Sequence, residues 1–218
     1  MRSTQNYGFL STNTHQALLN HFMSKLGCTT GPCANAAPID TVLNAQMDLF
    51  FNAMNIDPAA GQGEPIRPVH DGSFITATLT TSSSYPNTNK PLLITSVRTE
   101  AGPPIFLFFP NPLPQAAFYP IVNATFGTQR TNTIVSSSFY QPPTPEADPR
   151  FQLETLSTDY LYKCSSWTFA RRWVQNGGDA YVGLYTVGAT HPDNAQVAFC
   201  TQPGSVCHQD DLPIVVCA

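Results

Sequence analysis

Charged residues are scarce in this chain: Lys and Arg number 10 and Asp and Glu 14 among 218 residues, 11% in all, where soluble domains usually carry about a quarter. No basic run occurs and the formal net charge is −4. The electrostatic footprint that attracts phosphate backbones is missing, so nucleic acid is not an expected partner. No apolar stretch approaches the roughly 20 residues of a membrane-crossing helix. Met1 to Asn6 leads into no apolar segment, so no signal peptide is expected within the chain. No two cysteines stand in C-x2-C spacing, which argues against a zinc site, and no cofactor is expected. No internal repeat is visible.

What is present is 42% hydrophobic residues, 20 prolines and six cysteines. That is enough apolar surface for one sizeable core or part of a larger domain. High proline, abundant Ser, Thr and Asn, and paired-looking cysteines suit a loop-rich secreted protein, and Asn123-Ala124-Thr125 is a glycosylation triplet in keeping with that. Cys28 and Cys33 enclose a Thr-Thr-Gly-Pro loop and are expected to form a local disulfide. Cys164, Cys200, Cys207 and Cys217 allow three pairings. Cys200 with Cys207 is favoured because it would close the loop that carries His208, and Cys217 is the best candidate for a free thiol.

Helical periodicity covers residues 13–26, with Asn13 or Thr14 as cap and Gly27 as stop. A second helix is expected from Ile39 to Met54, with Val42, Leu43, Met47, Phe50 and Met54 as its apolar side. Residues 58–89 read as loop. Leu92 to Val97 is a short apolar run between proline and Glu100 and reads as a buried strand. Prolines throughout Pro103 to Pro114 predict an irregular cover over something apolar. A short helix is expected over 116–126, a proline-marked loop over 142–149, helices over 151–162 and 165–175, and a strand from Ala180 to Val187. Two strands separated by a long helical excursion predict an α/β or α+β architecture.

The loop Val206-Cys207-His208-Gln209-Asp210-Asp211-Leu212-Pro213 resembles the catalytic-histidine loop of type-B carboxylesterases, the cholinesterase-like esterases and lipases, in their fungal wording. Other segments line up with that family in the same order. Leu26-Gly27-Cys28 with Cys33 resembles its disulfide loop, and Pro68-Val69-His70-Asp71-Gly72-Ser73-Phe74 its P-V-x-D-G-x-F stretch. Lys90 to Gly102 resembles its strand and acid turn, and Ser157 to Arg171 the helix pair before a late strand. The resemblance implies an α/β-hydrolase fold in which residues 1–218 are the C-terminal part of one domain, with the later sheet and helical cap insertions. It also implies a Ser-Glu-His triad with Glu100 as the acid and His208 as the base. A small-molecule or lipid ester is then the substrate of the complete protein.

Two departures from the family stand out. The acid turn reads Thr99-Glu100-Ala101-Gly102 rather than Asp-Glu-Gly, and no Gly-x-Ser-x-Gly or glycine-rich oxyanion segment occurs within residues 1–218. The nucleophile half is therefore expected to be missing from this sequence and the chain to be inactive alone. A catalytically inactive truncated or interaction-only relative is the alternative. Asp210 and Asp211 are expected to bind nearby backbone rather than a metal. His191 with Asp193 offers too few ligands for a metal. Cys207 and His208, as sequence neighbours, do not form a nucleophile pair, and His70-Asp71 reads as a structural turn. Phe106 to Phe109 either line an acyl pocket or pack as core.

Overall fold

The computed structural model describes residues 9–60, 66–77, 85 and 87–216. Two compact units are present, one built from residues 7–82 and the other from residue 83 onward.

In the first unit, strand β1 (Leu10–Ser11) runs into helix α1 (Thr12–Leu26). The cap is Ser11, whose Oγ accepts the Thr14 N–H at 3.0 Å, rather than Asn13 or Thr14. Gly27, at φ 66°, ends the helix in the left-handed conformation glycine adopts without strain. A short helix α2 (Gly31–Asn35) begins inside the loop closed by the Cys28–Cys33 disulfide and carries Cys33 itself. Helix α3 (Ile39–Ile56) then packs on α1. Strand β2 (Val69–His70) pairs parallel with β1, an element that two residues are too short to announce in sequence. The core is Leu10, Leu18, Leu49, Ala53 and Ala60, with Phe22, Ile56 and Val69 against it. His21 and Lys25 of α1 both reach Asp48 of α3, at 2.6 and 3.0 Å.

The buried side of α3 corrects the sequence reading. Ala45, Leu49 and Ala53 form it, at i, i+4 and i+8, whereas Leu43, Met47, Phe50 and Met54 are exposed. Small residues let α3 approach closely, so apolar bulk is a poor guide to its buried face.

The second unit holds a parallel pair, β3 (Leu92–Val97) and β4 (Ala180–Tyr185), in register from Leu92–Ala180 to Val97–Tyr185. Between them lie α4 (Gly102–Phe108), α5 (Phe118–Ser136), α6 (Arg150–Thr158), a π-helical turn (Asp159–Lys163) and α7 (Cys164–Gln175). Helix α7 covers the sheet through Phe169 and Ala170, packed with Ile94, which is fully buried. A second cluster joins Phe118 and Val122 of α5 to Leu153 and Leu156 of α6.

Four expectations change here. Of the segment expected to be irregular, Gly102–Phe108 is helical and residues 109–114 are not: Pro103 and Pro104 occupy the first helical turn, where no amide hydrogen is needed. Helix α5 runs ten residues past the expected end through a break at Gly127 (φ 72°). The two helices of 151–175 are one continuous column with the π turn as its joint. The strand expected to reach Val187 ends at Tyr185, and the apolar run after His208 forms helix α8 (Leu212–Val216).

Candidate active site

Both strands of the parallel pair end on the same side, and the chain beyond each returns to the other. Arg98 N donates to Tyr185 O at 3.0 Å. One residue on, Thr99 N donates to Val206 O and Val206 N to Thr99 Oγ1, each at 3.0 Å. Thr99 and Cys207 are thereby joined by an isolated parallel bridge. Residues 100 and 208 meet beyond the carboxyl ends of parallel strands, where open α/β sheets hold their ligands.

Glu100 is 3% exposed, and each of its carboxylate oxygens is held. Oε1 accepts the Val97 N–H at 2.9 Å, and Oε2 lies 2.6 Å from Nδ1 of His208. A carboxylate can only accept, so Nδ1 carries the proton and Nε2 presents its lone pair. Among the described residues nothing hydrogen-bonds Nε2, and the His208 side chain is one-third exposed. The Tyr162 ring lies 5.7 Å away, centroid to centroid, presented by the π turn. This is an oriented, accessible imidazole backed by a buried acid, the arrangement a general base requires.

The local sequence explains the acid turn. Ala101 sits at φ −86°, a conformation open to any residue, so the turn needs no glycine directly after the acid. Gly102 is needed for a different reason. A Cβ there would stand 2.7 Å from Cys207 Sγ and 2.8 Å from the Phe199 ring. Ala101 N donates to Thr158 Oγ1 at 2.9 Å, and Thr158 Oγ1 donates to Glu154 Oε1 at 2.6 Å. Burial pushes the Glu154 carboxyl up to about 7, against the pull of the Thr158 hydroxyl and Lys163. Sequence reasoning missed this carboxyl, because nothing in its neighbours marks it as buried.

The histidine loop is fixed at its start by the Cys200–Cys207 disulfide. The remaining described thiol, Cys164, is free and exposed; Cys217 lies outside the described residues. Asp210 is buried and binds backbone, accepting from Cys207 N and His191 N. The side chains of His191 and Asp193 lie 3.7 Å apart, and among the described residues no group of three or more His, Cys, Asp and Glu could hold a metal. His70 and Asp71 are not a dyad: Asp71 Oδ1 accepts the amides of Ser73, Phe74 and Ile75. Of the four aromatic-run residues, Phe106 and Leu107 line a pocket of about 350 Å³ with Phe151 and Phe199. Phe109 packs on the Phe118 cluster instead, and Phe108 is exposed.

Gln209 is the one described non-glycine residue with positive φ, at 79°. The left-handed turn lets Asp210 fold back on Cys207 N while His208 faces Glu100. That conformation costs a side-chain-bearing residue about 1–2 kcal/mol, and glycine gives part of it back through unfolded-state entropy of about 0.5–1 kcal/mol. Gln209→Gly is expected to raise stability by up to about 1 kcal/mol, and Gln209→Val to lower it. Urea midpoints in the order Gly, Gln, Val check this; a Val variant as stable as the Gly variant would refute the strain.

No family model and no curated protein matches the sequence. Among solved structures, the carboxylesterase EST55 of Geobacillus stearothermophilus is similar, with a TM-score of 0.53 at 17% identity. The match covers 94% of this chain and 41% of that one. The fold is carboxylesterase-like. The helices and small parallel sheets described above are in keeping with part of an α/β-hydrolase, and the chain spans about two-fifths of the length of the esterase it matches.

Proposed function

We propose that residues 1–218 are the later part of a carboxylic ester hydrolase of the type-B carboxylesterase kind, with Glu100 and His208 as acid and base of a Ser-Glu-His triad. The observation that carries the reading is the 2.6 Å approach of His208 Nδ1 to a buried Glu100 beyond the ends of two parallel strands. His208 Nε2 takes the proton of a serine hydroxyl as it attacks the ester carbonyl, then returns it to the leaving alcohol. Glu100 holds the imidazole in the required tautomer and stabilises the imidazolium. The serine and the oxyanion donors belong to sequence outside these 218 residues. A small-molecule or lipid ester is the substrate, and no cofactor takes part.

Two disulfides and the lack, among the described residues, of a helix able to cross a membrane fit an extracellular protein. The fungal wording of the histidine loop remains part of this proposal.

The test is a pair of assays with a p-nitrophenyl ester. Residues 1–218 alone are expected to show no turnover above buffer, since loss of the nucleophile removes about 10⁶-fold and loss of oxyanion donors about a further 10²–10³. The same residues extended by upstream coding sequence with Gly-x-Ser-x-Gly are expected to turn over, and to stop on treatment with a serine-directed inhibitor. Inhibitor-sensitive turnover by the 218 residues alone would overturn the assignment.

A further inference from the structure

We infer that Asn194 and Asp210 form a clamp that positions His208 against Glu100, an inference that rests on the triad reading above. His208 is anchored through its side chain only at Nδ1, and a third of it is exposed. Its place therefore depends on the backbone of the loop. The disulfide at Cys207 holds one side of that loop, and on the other side the turn through the left-handed residue Gln209 leads to α8 with no strand or disulfide to fix it.

Asp210 supplies what is missing. It is 2% exposed and accepts three hydrogen bonds. Oδ2 takes the Cys207 N–H at 2.6 Å, and Oδ1 takes the His191 N–H at 2.7 Å and Asn194 Nδ2 at 2.8 Å. Asn194, 4% exposed on the turn Pro192–Gln196, donates a second time from Nδ2, to the carbonyl of His208 itself at 2.7 Å. An amide nitrogen offers two donors from one atom, which is what this position uses. Carboxylate and amide together tie the residues before and after the imidazole to a separate stretch of chain. That stretch is itself close-packed on the loop: Ala189 N donates to Asp210 O at 2.9 Å, and a Cβ on Gly188 would stand 2.8 Å from the same oxygen. Neither side chain reaches Nε2, so both are positioning residues. Losing either partner leaves buried polar atoms unpaired and frees the loop to move the ring off Glu100.

The test is proton NMR of the 218-residue chain, which needs no nucleophile. An Nδ1 proton shared with a carboxylate at this distance gives a strongly downfield resonance, assigned by its loss in His208→Gln. Asn194→Ala and Asp210→Asn are expected to lose it or broaden it by solvent exchange while the cooperative melt persists. Asn194→Ser, with one donor in place of two, reads the same effect should Asn194→Ala lose the fold. An unchanged resonance with wild-type exchange in the folded variants would overturn the clamp and leave the triad reading standing. No such resonance in the wild type would overturn the Glu100–His208 pairing, and the clamp with it.

Discussion

In a polypeptide that supplies the nucleophile serine, His208→Ala is expected to lower kcat by about 10⁶-fold and Glu100→Gln by about 10⁴-fold. The two losses have different physical origins. On the proposed mechanism, alanine removes the group that takes the serine proton. Glutamine keeps the size of Glu100 and the hydrogen bond from Val97 N to Oε1. It replaces the acceptor opposite His208 Nδ1 with an amide donor. The imidazole then carries its proton on Nε2, the wrong atom for a base. KM is expected to change little. Steady-state kinetics on a soluble ester decide the matter. A Glu100→Gln enzyme within tenfold of wild type would sink the assignment of Glu100, and an active His208→Ala enzyme would sink the mechanism.

The parts of the fold and of the site that were legible in sequence are those with local causes. Leu92 to Val97 reads as a strand because an apolar run is bounded by Pro91 and a polar turn, and it is the strand found. Glu100 and His208 are picked out by the wording of their own turns, and the structure places them in contact. The Cys28–Cys33 bridge follows from a short loop that can close on itself.

What was not legible depends on tertiary context. The buried face of α3 is carried by Ala45 and Ala53, residues that hydrophobic patterning ranks below the Phe and Met pointing outward. Pro103 and Pro104 look like helix breakers until the helix start is known to fall on them. The far half of α5, Thr128 to Ser136, is polar apart from Ile134 and Val135, and its ties to the core are buried Thr131 and those two side chains packed on the Phe118–Leu156 cluster, which the sequence pattern does not announce. Asn194 sits in a turn-like run with nothing to mark it, because both its partners lie on the histidine loop.

Glu154 gives the other large effect. Its carboxyl is 4% exposed and pushed up to about 7, chiefly by burial and further by the charge of Asp159, while Thr158, Lys163 and Thr155 pull it down. In the unfolded chain it titrates near 4.5. The folded state thus binds this proton more tightly. The stabilisation is fully present below pH 4.5, is lost as pH rises towards about 7, and changes no further above that. The loss over that window is about 3 kcal/mol. Glu154→Gln keeps an acceptor for the Thr158 hydroxyl and cannot ionise. It should match the wild type near pH 4.5 and exceed it by about 3 kcal/mol at pH 8. Asp148, held below the usual carboxylate range by Arg150 in spite of its own burial, is common to both proteins and cancels in the difference. Urea unfolding of the two proteins across that range measures it, and parallel pH profiles would refute the buried acid. Because Thr158 Oγ1 also accepts the amide of Ala101, this ionisation acts two hydrogen bonds away, through one hydroxyl, from the turn that presents Glu100. In an active, serine-containing form, neutralising Glu154 should therefore stabilise the acid turn at about pH 8.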